Sequence, residues 1–167
     1  IYVRHNGDKW SLILAEVDDL IITGTDTEHL TQLKGHFETK WKVKDWGPIQ
    51  SFLGIRVRHD RQAGTLAMDV ESKINDLFSK HHPALAKVGS ANLPYNETAV
   101  KVARLIPDRQ LTQSEQYMQE HFASVVGHLI YMSISCRPDI TYAVNQMAKG
   151  MHKPELEHIV IMRQTLK

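Results

Sequence analysis

The amino-acid sequence predicts an α+β fold, with a β-rich part first and an all-α part after it. Three observations carry that reading. Short apolar runs broken by turn-forming residues crowd the first 80 positions, and apolar residues recur at helical spacing after position 112. Between them, residues 81–111 hold three prolines and no clear period, which reads as a long surface loop and a junction between sub-domains. The expected division is therefore 1–80, a linker at 81–111, and 112–167.

The elements follow in order. Residues 11–17 and 20–23 read as two strands with Asp18 and Asp19 between them, because turn-forming acids between β-rich runs signal a hairpin. Thr25 and Glu28 have the spacing of a capping box. Leu30, Leu33, Phe37 and Trp41 then follow at helical spacing, with Phe37 and Trp41 expected in the core. Gly47-Pro48 breaks the chain before a second hairpin with arms at 51–59 and 65–69, joined by Arg61-Gln62-Ala63-Gly64. Ile74, Leu77 and Phe78 suggest a short amphipathic helix. Phe122, Val126, Leu129 and Ile130 place a helix over 113–135. Asp139 can cap a helix running to about Met151, and Pro154 sits where the first turn of a last helix would begin.

Composition narrows the class. A hydrophobic fraction of 42% and a charged fraction of 23% are ordinary for a globular protein. No stretch approaches the roughly 20 apolar residues of a membrane span, so no membrane partner is expected. The first ten residues lack the apolar core of a secretory signal, and a cytoplasmic or nuclear location is expected. The single cysteine, Cys136, excludes an internal disulfide. A net charge of +1 excludes nucleic-acid binding held by bulk charge alone. Lys34, Lys40, Lys42, Lys44, Arg56, Arg58 and Arg61 nevertheless fall in one stretch, open to reading as a solvated face or as a basic surface. The chain starts at Ile1 and stops at Lys167 in a helical pattern, so both ends are expected to be cuts in a longer polypeptide.

Asp18 and Asp19 are the residues best suited to chemistry. Two carboxylates at a strand-to-strand turn are exposed at a sheet edge, where magnesium can take them as hard oxygen ligands. Phosphoryl transfer at two such ions is the chemistry that arrangement serves. The alternative is that both acids are turn formers only. Ten histidines invite a zinc site, but His81-His82, His121, His128, His152 and His158 lack ligand spacing.

The neighbouring residues bring a resemblance. Leu14-Ala15-Glu16-Val17-Asp18-Asp19-Leu20-Ile21-Ile22-Thr23-Gly24 resembles the Tyr-Val-Asp-Asp turn of copia-type retrotransposon reverse transcriptases. Val43-Lys44-Asp45-Trp46-Gly47-Pro48, with Phe52-Leu53-Gly54-Ile55 after it, resembles that family's Lys-Asp-Leu-Gly and Phe-Leu-Gly-Ile segments. Ser124-Val125-Val126-Gly127-His128-Leu129-Ile130-Tyr131 is similar to its Leu-Val-Gly-Ser-Leu-Met-Tyr helix, and Arg137-Pro138-Asp139-Ile140 to its Thr-Arg-Pro-Asp-Ile block. The segment from Pro154 to His158 resembles the start of its next helix. Order and spacing both fit, over nearly the whole chain.

The resemblance implies a partial polymerase palm with two β-hairpins, followed by an all-α region like a thumb and connection. It implies an RNA-directed DNA polymerase in the intact parent, with Mg2+ as cofactor and an RNA or DNA primer–template as partner. Asp18 and Asp19 match its metal-binding pair, and Phe52, Leu53 and Gly54 its primer grip. At Gly54 the missing side chain would let a nucleic-acid backbone approach. Lys44 matches a position near the incoming nucleotide's phosphates, or is a solvated strand lysine. Trp46 near the grip either stacks on a base or packs locally. Two departures matter. Glu16 replaces the family tyrosine and, two residues before Asp18 on a strand, would lie roughly 6–7 Å back along the same face. No upstream motif supplies the first catalytic aspartate, so the chain by itself is expected not to polymerise. The alternative is a domesticated binding or regulatory module with a protein partner. Neither reading fixes the oligomeric state.

Overall fold

The computed structural model describes residues 1–81 and 90–167. They form two compact units, Ile1–Leu53 with Val57–Ala67, and Gly54–Arg56 with Met68–Lys167. Each is treated by itself. Residues 82–89, within the expected linker and including His82, lie outside the described residues.

The first unit begins with an antiparallel sheet of β1 (Tyr2–Asn6), β2 (Lys9–Glu16) and β3 (Asp19–Gly24), in the order β1-β2-β3. β1 was not anticipated from the sequence; all five of its residues are exposed, so it carries no burial alternation to read. It pairs with β2 from Tyr2↔Ile13 to Asn6↔Lys9, and β2 pairs with β3 from Ser11↔Gly24 to Glu16↔Asp19. Gly24 is required where it stands. It has φ +156, and a Cβ there would lie 2.3 Å from the carbonyl oxygen of Trp10. That carbonyl also accepts from the backbone N–H groups of Thr25 and Asp26, at 2.9 and 3.2 Å.

Helix α1 (Thr27–Trp41) follows, and its N-cap is Asp26, whose side chain accepts from His29 N at 3.3 Å. The expected Thr25–Glu28 capping box is therefore displaced by one residue. Thr25 Oγ1 is engaged elsewhere, accepting from Trp10 N at 3.1 Å. A second correction concerns the apolar stripe of α1, none of whose residues is buried. Phe37 and Trp41 stack on each other at 5.3 Å between ring centroids, and Trp41 stays 57% exposed. Helical spacing fixes which residues share a face, and here that face is only half covered, at Leu30, Leu33 and Phe37.

A second three-stranded sheet, in the order β4-β5-β6, is made by β4 (Ser51–Phe52), β5 (Ile55–Asp60) and β6 (Thr65–Asp69). The expected continuous arm at 51–59 is broken at Leu53-Gly54, where φ turns positive at both residues. The expected turn after it is present, with Asp60 Oδ1 accepting from Gln62 N and Ala63 N at 2.9 Å each.

The second unit is helical: α2 (Glu71–His81), α3 (Glu97–Leu105), α4 (Gln113–Glu120), α5 (Phe122–Ser135), a 3-10 turn (Pro138–Ile140), α6 (Thr141–Lys149) and α7 (Leu156–Thr165). Its core holds Leu77, Val100, Met118, Phe122, Val126, Leu129, Val144, Met147, Ile159 and Met162, all nearly inaccessible. Four sequence readings change here. Helix α3 occupies part of the stretch read as loop, capped by Asn96, which accepts from Ala99 N at 3.0 Å, and anchored by buried Val100 and Ala103. The helix expected over 113–135 is two helices meeting at His121. Asp139 does not cap a helix by its side chain, because the carboxylate is held by Arg137 at 2.8 Å. Pro154 precedes α7, whose N-cap is Glu155. In α4 a complete Thr112–Glu115 capping box forms, and buried Glu115 also accepts from Arg109 at 2.8 Å and Arg163 at 3.4 Å.

Candidate functional site

The β2–β3 turn is where the sequence puts the candidate carboxylates. Glu16 and Asp19 are the last paired residues, so the loop is the dipeptide Val17-Asp18, one residue earlier than expected. Asp18 is at the tip and Asp19 opens β3, both exposed. Neither makes a side-chain hydrogen bond or ion pair among the described residues. Val17 opens the turn with φ +50 and is 92% exposed. A β-branched residue rarely adopts that conformation, and it stores about 1–3 kcal/mol of strain.

The register also relocates Glu16. It faces Asp19 directly across the ladder, where Cβ atoms are roughly 4.5–5.5 Å apart, so its like-charged neighbour is Asp19. The expected relation to Asp18 along one strand does not describe this corner. Three carboxylates thus flank one turn, yet among the described residues no group of three or more His, Cys, Asp or Glu is placed to share a metal. The donors suit magnesium in kind, being exposed carboxylate oxygens, and supply one or two ligands of the six it needs.

The Phe52-Leu53-Gly54 candidates form a second tight turn. Leu53 has φ +51 and Gly54 φ +80, the pairing that a two-residue hairpin loop of the primed type demands. At Gly54 the missing side chain also matters within the chain itself. The space a side chain would fill is taken by Lys73 of α2, whose Cε lies 2.7 Å from an added Cβ and whose Nζ lies 3.4 Å away. Lys73 went unnoticed in the sequence, where one lysine in an amphipathic helix carries no signal.

Lys44 and Trp46 are brought together. The Lys44 ammonium lies 4.2 Å from the centroid of the Trp46 ring, which is 81% exposed. Asp45 between them pins the segment to α1, accepting from Lys34 Nζ and from Gly47 N, each at 2.8 Å. The Lys34 hydrogen bond, then the Gly47 N–H, holds the Asp45 carboxyl below its ordinary range. The pair offers a cation and an open aromatic face side by side, the elements that grip a phosphate and stack a base.

Residues 1–86 match the family described as reverse transcriptase (RNA-dependent DNA polymerase). The chain is 26% identical, over 94% of its length, to the retrovirus-related Pol polyprotein from transposon TNT 1-94 of Nicotiana tabacum. It is 29% identical, over 100% of its length, to the retrovirus-related Pol polyprotein from transposon RE1 of Arabidopsis thaliana. It spans only 12% and 11% of those two proteins. An uncharacterized mitochondrial protein of Arabidopsis thaliana is 27% identical over 93% of the chain, which covers 59% of that relative. No solved structure matches.

Proposed function

The chain belongs to the reverse transcriptase (RNA-dependent DNA polymerase) family, in accord with the copia-type resemblance of its motifs, and on that premise we propose that it is the part of a retrotransposon polymerase that presents the second half of the metal site and the primer grip. The single observation carrying this reading is the β2–β3 hairpin, which sets Asp18 free at the tip of a two-residue turn. In this reading the first unit and the second hairpin belong to the palm, and the helices after Leu111 to the thumb and connection. Asp18 and Asp19 would hold Mg2+ from one side, once ligands from a further strand and the substrate phosphates complete its shell. The bound ions would neutralise charge on the transferring phosphoryl group. What this chain itself supplies is position: carboxylates at a two-residue turn, a Leu53-Gly54 turn against which a primer end can rest, and the Lys44–Trp46 pair.

The test is template-dependent nucleotide incorporation on a primed RNA template with magnesium. The 167-residue chain alone is expected to give none. Joined to the upstream palm and fingers of its own polypeptide, it is expected to synthesise DNA, and Asp18→Asn is expected to abolish that synthesis. Incorporation by the 167-residue chain alone, or an Asp18→Asn polymerase as active as its parent, overturns the assignment.

A second reading rests on the shorter relative, an uncharacterized protein of which this chain covers 59%. A retroelement-derived module that binds nucleic acid without polymerising would keep duplex binding and stay inactive when joined to upstream sequence.

A further inference from the structure

Three facts about Lys73 have no explanation in the stability of the helix that carries it. It is the third residue of α2, in the first turn, where a cation works against the helix dipole. It has no ion-pair partner among the described residues, whereas Arg56 nearby is paired to both Asp69 and Glu71. Its side chain lies against Gly54, within the space that only a glycine leaves open. Gly54 has φ +80, so the turn excludes other residues on conformational grounds as well.

We propose that Lys73 is a phosphate-binding residue for the primer strand, with Gly54 as the seat that holds its side chain. The inference rests on the reading of the Leu53-Gly54 turn as a primer grip, and adds to it the charge that the turn lacks. Gly54 carries no cation, so a strand lying against it would have its backbone phosphates unneutralised. Lys73 supplies a compact ammonium with three donors at that place, on a flexible stem. Gly54 is thereby explained without an approaching nucleic acid: the glycine accommodates lysine methylenes, and the lysine meets the phosphate.

Fluorescence anisotropy of the 167-residue chain on a labelled primer–template duplex, at several salt concentrations, tests this. One lost phosphate contact lowers the slope of log affinity against log salt by about 0.9. Lys73→Ala is expected to show that reduction and Lys73→Arg to restore the parent slope. Lys80→Ala removes a charge from the last turn of the same helix and is expected to leave the slope unchanged. Gly54→Ala displaces the lysine, and combining it with Lys73→Ala is expected to add no further loss, as for residues acting through one contact. An unchanged slope in Lys73→Ala, with duplex binding intact, overturns this proposal and leaves the polymerase reading standing. Failure of the parent chain to bind duplex at low salt overturns this proposal and the primer-grip reading of that turn, and leaves the family assignment standing.

Discussion

Replacing Val17 by glycine is expected to stabilise the first unit. Val17 has φ +50, and its side chain is 92% exposed, so no buried apolar surface is lost with it. The left-handed conformation stores about 1–3 kcal/mol in a residue other than glycine, with β-branched side chains among the least tolerant. Glycine removes that strain but widens the unfolded ensemble, which withdraws about 0.4–1 kcal/mol. The net expectation is a gain of about 1 kcal/mol, or roughly 4–8 °C in Tm for a unit of this size. The assay is specific to the unit, because Trp10, Trp41 and Trp46 are the only tryptophans and all belong to it. Tryptophan fluorescence on urea or heat titration therefore reads the sheet and α1. Val17→Ala is the control: it keeps a Cβ at the strained position and is expected to recover little. A Val17→Gly protein no more stable than its parent would refute the strained turn.

Two further outcomes concern the helical unit. Leu77→Ala, at a residue 1% exposed in the core, is expected to cost about 2–5 kcal/mol, seen as an earlier helical circular-dichroism transition; a loss below about 1 kcal/mol contradicts the burial. His81 is fully buried, and burial first, then His121, Lys80 and His128, hold its pKa below the ordinary 6.5. The folded unit therefore prefers the neutral ring, so its stability contribution is complete above about pH 6.5 and is lost as pH falls toward the lowered value. His81→Leu is expected to flatten the pH dependence of unfolding below 6.5, and an unchanged pH profile would sink the assignment.

The sequence made the Asp18 hairpin legible because flanking β-rich runs leave the acids only a turn. It misplaced the turn by one residue because turn propensity favours Asp-Asp, while the Glu16↔Asp19 pairing puts valine in the left-handed slot. Leu53 repeats the lesson, and the arm drawn through it failed for that reason. Helix α3 was hidden between prolines, with only Val100 and Ala103 buried to mark its inner face. Trp41 was assigned to the core because periodicity identifies a face without saying what covers it. Lys73 could not be found by pattern at all, since its meaning depends on the glycine it folds against.

The uneven distribution of apolar burial has a consequence in time. Among the described residues, Val57 is the sole buried apolar residue of the first unit, and every other one lies at Val70 or beyond. On the ribosome the thinly cored unit emerges first, and at about 5–20 residues per second the helical core is complete only several seconds afterwards. The first sheet can form in that interval because its pairings are local hairpins, which close in about 1–10 μs. What it lacks is depth, so its amides exchange with solvent through small, frequent openings. Those of α5 and α6 wait for the rarer event that opens the core.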